Sequence, residues 1–569
     1  LETYQQKHQQ RKEEKEMNKE AEMHLSELPR LNKPRSTFPY NQSIWGSMKV
    51  GKLYPIEWIE CNPGDTLTLD FAHITRAMTQ IVPVMDQSFL DVQAFFVPLR
   101  ILWDNWVSMW GENKTGHWAQ QIEYETPQIK FPEGGWKTGS LADVLGLPVY
   151  KGTNKDSVSH LPIRGYLKIW SDWYRDENLQ DPAYFHTDET IIQGTNYAQG
   201  WDYVTDSEKG GALLNVCRFH DYFSSCLPDL QRGPSVNIPL GNTAPVVYDS
   251  DITAMSGYPT APDLDGNRAA FISTSTNPNN AGMYNGEDGT RTDMTTKSFG
   301  LATDLSSALG ATITQLRQSI VVQHFYEKLA AGGGRYIEYL STIWGTDARD
   351  DVLQRSVYLG GRRFPINVNQ VLQTSSTDSV SPQGNTAAFS CTVDEDDLFT
   401  CSTTEHGYIY IMCSIRTNHS FSQGIARKWS RKKWTDYYIP TFDGVTAQDV
   451  KNKEIYFQGN GNAEDEEVFG YQESFADYRL QTDRVFGQLR VDSKDSQGNP
   501  NSLAVWTYQD YYESKPMLNG DWIQEDGSNF TRTISLQDEE YDQFQCQFYL
   551  KGKFSRVMPT YGVPGVSYI

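Results

Sequence analysis

The densest apolar and aromatic run in the chain, FLDVQAFFVPLRILWDNWVSMWGE over residues 89–112, changes character at its midpoint. Up to Val97 it reads as a strand. Leu90, Val92, Ala94 and Phe96 fall on one face, and Phe89, Asp91, Gln93, Phe95 and Val97 on the other, so a pleat places apolar atoms on both sides. Such a strand lies between two layers. Pro98 cannot donate to a ladder, and beyond it Trp103, Trp106, Met109 and Trp110 recur at helical or irregular spacing. Connections normally run over the surface, so four large apolar groups in one need cover. The spacing leaves two covers open: another subunit, which makes these four residues an intersubunit aromatic loop, or the chain's own domain.

Other runs add half-buried strands. Asn62-Pro63-Gly64-Asp65 is a turn signal before TLTLDF, where Leu67, Leu69 and Phe71 alternate with polar residues. YIYIMCSIR from Tyr408 reads as a strand, as does QCQFYLKGKF, in which Cys546, Phe548 and Leu550 face one way and Gln545, Gln547, Tyr549 and Lys551 the other. Residues 31–50 look extended and turn-rich. Strands at both ends of the chain must pair across large insertions, the connectivity of a Greek-key or jelly-roll barrel. A length of 569 residues by itself suggests several domains, but one β-domain with long insertions reaches the same length.

The connections differ among themselves. Residues 1–30 hold seven acidic and six basic side chains and almost no large apolar group, which reads as a polar helix or disordered arm. In the connection after Gly111, Ser140 is a candidate cap for LADVLG, and Tyr166, Ile169, Trp170 and Trp173 share a helical face. Of the 52 residues 249–300, 27 are Gly, Pro, Ser, Thr or Asn, so this segment cannot make its own core and reads as a surface insertion. From Thr312, Ile313, Leu316, Ile320, Val321, Phe325 and Leu329 are spaced as one face of a helix, which Gly332-Gly333-Gly334 ends.

The wording of several stretches resembles the major capsid protein of the microviruses, small single-stranded DNA phages, in its gokushovirus-like branch. The matching residues are Pro83, Met85, Asp86, FFVP from Phe95, Arg100, WDNW from Trp103, Gly111 and Glu112. PEGGWKTGSLADVLGLP from Pro132, WYRDENLQDP from Trp173, HDYFSSCLP from His220, GGGRYIEYLSTIWG from Gly332 and SVYLGG from Ser356 continue the match. NKEIYFQG from Asn452, VFGYQESFADYR from Val468 and RVMPTYGVPG from Arg556 complete it. The resemblance spans most of residues 31–569 and breaks mainly at 249–300. It implies a mainly β fold, an eight-stranded viral jelly-roll barrel with long loop insertions containing short helices. Residues 31–569 would then form one capsid domain, and 249–300 a variable insertion at the threefold protrusion. It also implies a 60-copy T=1 shell around a circular single-stranded DNA genome, formed in the host cytoplasm and found in the virion. Expected partners are a small basic DNA-packaging protein, a pilot or spike-type minor virion protein and a receptor on the bacterial host.

Charge bears on the partners. The formal net charge of −22 opposes coating of nucleic acid by the overall field, because phosphate binding rests on neutralisation by Lys and Arg. One cluster stands against that background: Arg427, Lys428, Arg431, Lys432 and Lys433, interleaved with Trp429 and Trp434. Cations for phosphates and indoles for stacking are what sequence-tolerant single-strand binding needs. An intersubunit ion-pair patch is the competing reading. Asp394-Glu395-Asp396-Asp397 and Glu464-Asp465-Glu466-Glu467 lack a calcium-loop register and read as solvated acidic turns.

No constellation reaches the level of an enzyme: there is no H-E-x-x-H, no G-x-S-x-G elbow and no phosphate-cradling glycine motif. The seven cysteines lack any C-x-x-C pair, so free thiols and no metal centre or cofactor are expected. Without an apolar run of 18 residues or a basic start leading into an apolar segment, the chain reads as soluble, unexported and not inserted in a membrane. The high aromatic content, 13%, fits buried interfaces. It equally fits a carbohydrate-binding or carbohydrate-active β-protein, the second reading.

Overall fold

In the computed structural model the strand of the opening stretch is β4, Ser88–Pro98, and both of its faces are covered as its two-sided apolar pattern requires. The structure describes residues 34–112, 123–197, 200–234, 236, 246–248, 271–273, 281–284, 291–293, 301–303, 313–372, 386–442, 447–535 and 541–562. The 1–30 arm and most of 249–300 lie outside these.

Seven further long strands accompany β4: β1 (Ser36–Met48), β2 (Leu53–Cys61), β3 (Thr66–Ala77), β5 (Val357–Ile366), β6 (Thr392–Ser402), β7 (Gly407–Thr417) and β8 (Phe544–Arg556). They form two antiparallel four-stranded sheets in the orders β1-β8-β3-β6 and β5-β4-β7-β2. Successive strands alternate between the sheets except at β4 to β5, which lie side by side. That is jelly-roll connectivity.

The chain ends meet as their patterns demand, with β1 pairing along β8 from Ser36 opposite Arg556 to Met48 opposite Phe544. Residues 36–48 are thus a full strand where the sequence suggested extended, turn-rich chain. The strand is hard to recognise because Pro39 and Gly46 interrupt it and its inward residues, Phe38, Tyr40, Gln42 and Ile44, are only half-buried at the sheet's edge.

Between the sheets the inward residues pack as one core. Leu67, Leu69 and Phe71 of β3 and Phe548 and Leu550 of β8 meet Leu90, Val92, Ala94 and Phe96 of β4 and Ile409, Ile411 and Ile415 of β7. Phe71 stacks on Phe364 of the facing sheet at 6.1 Å between ring centroids. Side chains this well buried each contribute about 1.5–3 kcal/mol relative to exposure, which makes this interlayer the main source of stability.

The two insertions have different positions. The β4–β5 connection contains a short helix capped by Ser140, whose hydroxyl accepts the Asp143 N–H, and the helix α1, Leu161–Ile169. The part of this insertion around α1 lies on the outer face of the β5-β4-β7-β2 sheet: Tyr410 of β7 donates to the Pro162 carbonyl at 2.8 Å, and Tyr166 to that of Leu53 at 3.0 Å. Gly165 marks the closeness, since a Cβ there would sit 2.2 Å from the Tyr410 oxygen. Val450, Ile455, Phe469 and Ile523 of the β7–β8 connection, residues 418–543, pack with Phe223 of the β4–β5 connection in a second, smaller core.

The described chain divides into two units, Leu1–Leu230 with Gly332–Ile569, and Gln231–Ala331. Within the second, Ala281–Tyr284 is the central strand of a small three-stranded sheet. The second unit also contains nearly all of helix α2, Ile313–Gly332, which stops where Gly333 adopts φ +98°. Its apolar residues do not make a single face, because Val322 projects opposite Ile313 at 3.6 residues per turn. A third helix, α3, follows at Tyr336–Trp344.

One acidic run is placed differently from its sequence reading. Asp394 to Asp397 form no turn but run within β6, where Asp397 sits opposite Asp70 of β3 and Arg362 binds Asp396 at 2.7 Å. The pattern misleads because β6 is an edge strand whose charged residues discourage further pairing, as lysine does elsewhere. The other run stays a turn, Ala463–Glu466, yet it is pinned: Asp465 is buried and accepts the N–H groups of Gln458 and Gly459 at 3.0 Å each.

Candidate nucleic-acid interface and intersubunit surfaces

The basic cluster lies at the start of the β7–β8 insertion, in a chain of short turns at Arg427–Trp429, Trp434–Asp436 and Pro440–Phe442. Its five cations do two jobs. Arg427 is turned inward, 3.2 Å from Glu454 and 2.5 Å from the Asp449 carbonyl. Burial pushes the Glu454 carboxyl up, and Arg427 pulls it back. Arg431 pairs with Asp477 and lies 4.3 Å over the Tyr478 ring. Both arginines therefore hold the insertion together.

The remaining side chains point out. Asp436 accepts the backbone N–H groups of Lys432 and Lys433 at 2.8 Å each, which fixes the turn and lowers its own pKa. Lys428, Lys432 and Lys433 are exposed and enter no ion pair among the described residues. Trp429 and Trp434 are 78% and 68% exposed. The result is three ammonium groups interleaved with two indoles on a frame locked by ion pairs. Phosphates and flat apolar rings are what such a surface can hold.

The tryptophan loop is likewise divided. Trp103 is wholly buried in its own chain and donates to Glu189 at 2.9 Å. Trp106 and Met109 are partly buried against the main core. Trp110 is 60% exposed and stacks flat on His406 at 4.9 Å. Folding back covers three of the four within the chain, and Trp110 alone is left facing outward.

Two charge clusters built on buried carboxylates escaped the sequence reading because their members are far apart in the chain. Asp91 on β4 binds both Arg363, at 2.6 Å, and Arg416, and both guanidiniums lie over Phe219, at 4.5 and 4.2 Å. A lone carboxylate inside FLDVQAFFV was the only signal. The second centres on His419, whose Nδ1 is 2.6 Å from Asp510 and whose Nε2 is 2.8 Å from Glu525, with Arg218 also on Asp510. Burial alone would lower the His419 pKa, but the Glu525 and Asp510 carboxylates overcome it and raise it to about 10. Asp510 is held well below the usual carboxylate range despite its burial. With two cations against two anions, the cluster fastens the end of β7 to residues 508–530 and to Arg218.

Among the described residues no three His, Cys, Asp or Glu side chains gather as metal ligands, and no helix is long and apolar enough to cross a membrane. The described cysteines are free thiols.

Comparison with known proteins accords with this arrangement of barrel and insertions. Residues 26–566 match the family described as capsid protein (F protein). Capsid protein VP1 of Spiroplasma virus 4 is 35% identical over 544 residues, covering 94% of this chain and 95% of the relative. The VP1 proteins of Bdellovibrio phage phiMH2K and Chlamydia phage 1 are 34% and 33% identical, each covering 95% of this chain and 97% of the relative. A jelly roll with every long strand matched, and likeness along nearly the whole length, identify a structural virion protein and no enzyme: the chain belongs to the microvirus capsid protein (F protein) family.

Proposed function

We propose that this chain is the subunit of a 60-copy T=1 icosahedral shell that encloses a circular single-stranded DNA genome and takes part in attachment to a bacterial host. The observation that carries the DNA part is the exposed Lys428, Trp429, Lys432, Lys433 and Trp434 surface on an otherwise acidic chain. Arg427 and Arg431 support it from beneath through their ion pairs. Unpaired bases stack on the indoles while the ammonium groups meet phosphates, without sequence preference.

Sixty copies at a net charge of −22 carry on the order of a thousand negative charges before any genome enters. Repulsion on that scale calls for a small basic packaging protein, and a pilot or spike-type minor virion protein completes the particle. Trp110 supplies the outward part of the aromatic loop at a contact between subunits. Residues 249–300, poor in core-forming residues, suit a variable protrusion at the threefold axes that meets the host receptor.

Charge reversal tests the DNA surface. Lys428→Glu with Lys432→Glu and Lys433→Glu should leave shell formation intact and cut packaged genome several-fold, read as the ratio of filled to empty particles. Shells that fill normally would remove the assignment.

A further inference from the structure

Two asparagine–glycine pairs among the described residues stand in opposite surroundings. Asn460-Gly461 forms the tip of a tight turn closed by the Asn462 N–H on the Gly459 carbonyl at 3.0 Å, and both residues of the pair are exposed. Three successive residues hold positive φ there, Gly459 at +77°, Asn460 at +55° and Gly461 at +71°. Asparagine visits this region more readily than most side chains, and a glycine on either side leaves the backbone free to rotate out of it. Neither the Asn460 side chain nor the Gly461 N–H enters a hydrogen bond among the described residues. A Cβ on Gly461 would meet nothing within 4 Å.

Asn519-Gly520 has the same two residues without that freedom. Asn519 is exposed too, but its Oδ1 accepts the N–H groups of Asp521, at 3.2 Å, and Trp522, at 2.8 Å. The Gly520 carbonyl accepts from Gln524 at 2.9 Å and from Gln180 at 3.3 Å, and a Cβ on Gly520 would lie 2.7 Å from the Leu179 carbonyl oxygen. A third pair, Asn285-Gly286, lies outside the described residues.

Glycine after asparagine leaves the next backbone nitrogen unshielded, so the asparagine amide is open to attack from within the chain. We propose that Asn460 is a site of spontaneous deamidation. The Gly461 backbone nitrogen gives its proton to hydroxide and attacks Cγ of Asn460. The new N–Cγ bond closes a five-membered succinimide, the Cγ–Nδ2 bond breaks, and ammonia leaves on a proton returned by water. A second water opens the ring at either carbonyl, leaving aspartate or isoaspartate. Each conversion adds one negative charge to a chain already at a formal −22. It enters the turn that carries Glu464, Glu466 and Glu467, whose lysines are already engaged: Lys451 and Lys453 with Glu466, at 2.5 Å each, and Lys515 with Glu467, at 2.6 Å. The turn thus grows more acidic with age, in one direction only.

The paired sites test this in the unaltered full-length chain. Folded protein is kept in mildly alkaline buffer beside a sample unfolded in guanidinium chloride, and peptides spanning each site are followed by mass spectrometry for conversion of amide to acid. In the folded chain Asn460 should convert at least about tenfold faster than Asn519, which must first release its hydrogen bonds. In the unfolded chain the two rates should lie within about threefold of each other, since only the fold separates two identical dipeptides. Isoaspartate should appear with aspartate at position 460, as opening of the ring requires. A ratio in the folded chain no greater than in the unfolded one would overturn the proposal. So would an Asn460 that stays an amide while the unfolded chain converts, or aspartate formed without isoaspartate.

Discussion

The two sheets of the barrel share a core but face different surroundings on their outer sides. The outer side of β5-β4-β7-β2 lies under the α1 part of the β4–β5 insertion, and β7 has every residue but Arg416 buried. The outer side of β1-β8-β3-β6 presents Trp45, Lys551, Asp70, Asp397 and Tyr549, and β8 alternates buried with exposed residues for most of its length. The same fold thus uses the continuous apolar pattern in one sheet and the alternating pattern in the other. What decides between them is whether a second layer lies outside. Insertions in this protein therefore determine stability on one side and leave the other side to charge and exposed rings.

The largest expected contrast is between Tyr410 and Tyr549. Tyr410→Ala should cost about 3–5 kcal/mol in urea unfolding of the unassembled chain, because it empties a packed site and strands the Pro162 carbonyl. Tyr549→Ala, on the bare face, should cost no more than about 0.5 kcal/mol. Equal losses would mean that the two outer faces are covered alike.

His419 sharpens it, since it fastens the end of the covered sheet to the β7–β8 insertion. Its folded pKa, about 10, exceeds the unfolded value. The protonated ring therefore contributes stability that is complete below about pH 6.5, declines above that and is lost as pH rises through about 10. The wild-type chain should lose on the order of a few kcal/mol between pH 6.5 and 10. His419→Gln should be less stable at neutral pH and much flatter over that window. A variant that kept the wild-type slope would move the titration to other groups.

Gly165→Ala probes how closely the covering layer sits, and a loss of about 1–3 kcal/mol is expected from the clash with Tyr410. A neutral result would mean that α1 can lift from the sheet without cost. The smallest effect concerns the basic turn: Lys432→Ala should change stability by no more than about 0.5 kcal/mol, whereas Arg431→Ala, which strands the half-buried Asp477, should cost more. Identical melting curves for the two variants would contradict the division between framework arginines and outward lysines.

Legibility in the sequence follows the same contrast. β4, β7, β3 and β8 were readable because their burial imposes a strong pattern of period two, on one face or both. β1 was not, because an edge strand with half-buried inward residues and an internal proline leaves a weak one. The acidic residues of β6 read as a turn because charge on an edge strand resembles charge in a loop. At the candidate DNA surface, spacing singled out the right segment but could not separate Arg427 and Arg431 from the lysines. Their partners, Glu454 and Asp477, lie 27 and 46 residues away. The His419 and Asp91 clusters were invisible for that reason, being assembled only when distant segments meet. Four tryptophan-loop residues looked equally in need of cover, and only the fold shows that Trp103 finds it at home.

The proposed DNA surface and particle partners both require that one chain build a closed shell with copies of itself. Negative-stain imaging together with light-scattering mass of the purified full-length protein, produced with its packaging partner, tests this most directly. Closed icosahedral particles of uniform diameter, with a mass corresponding to 60 subunits, are predicted. A monodisperse species near the 64.7 kDa of a single chain at every concentration, with no hollow particle in any field, would contradict it.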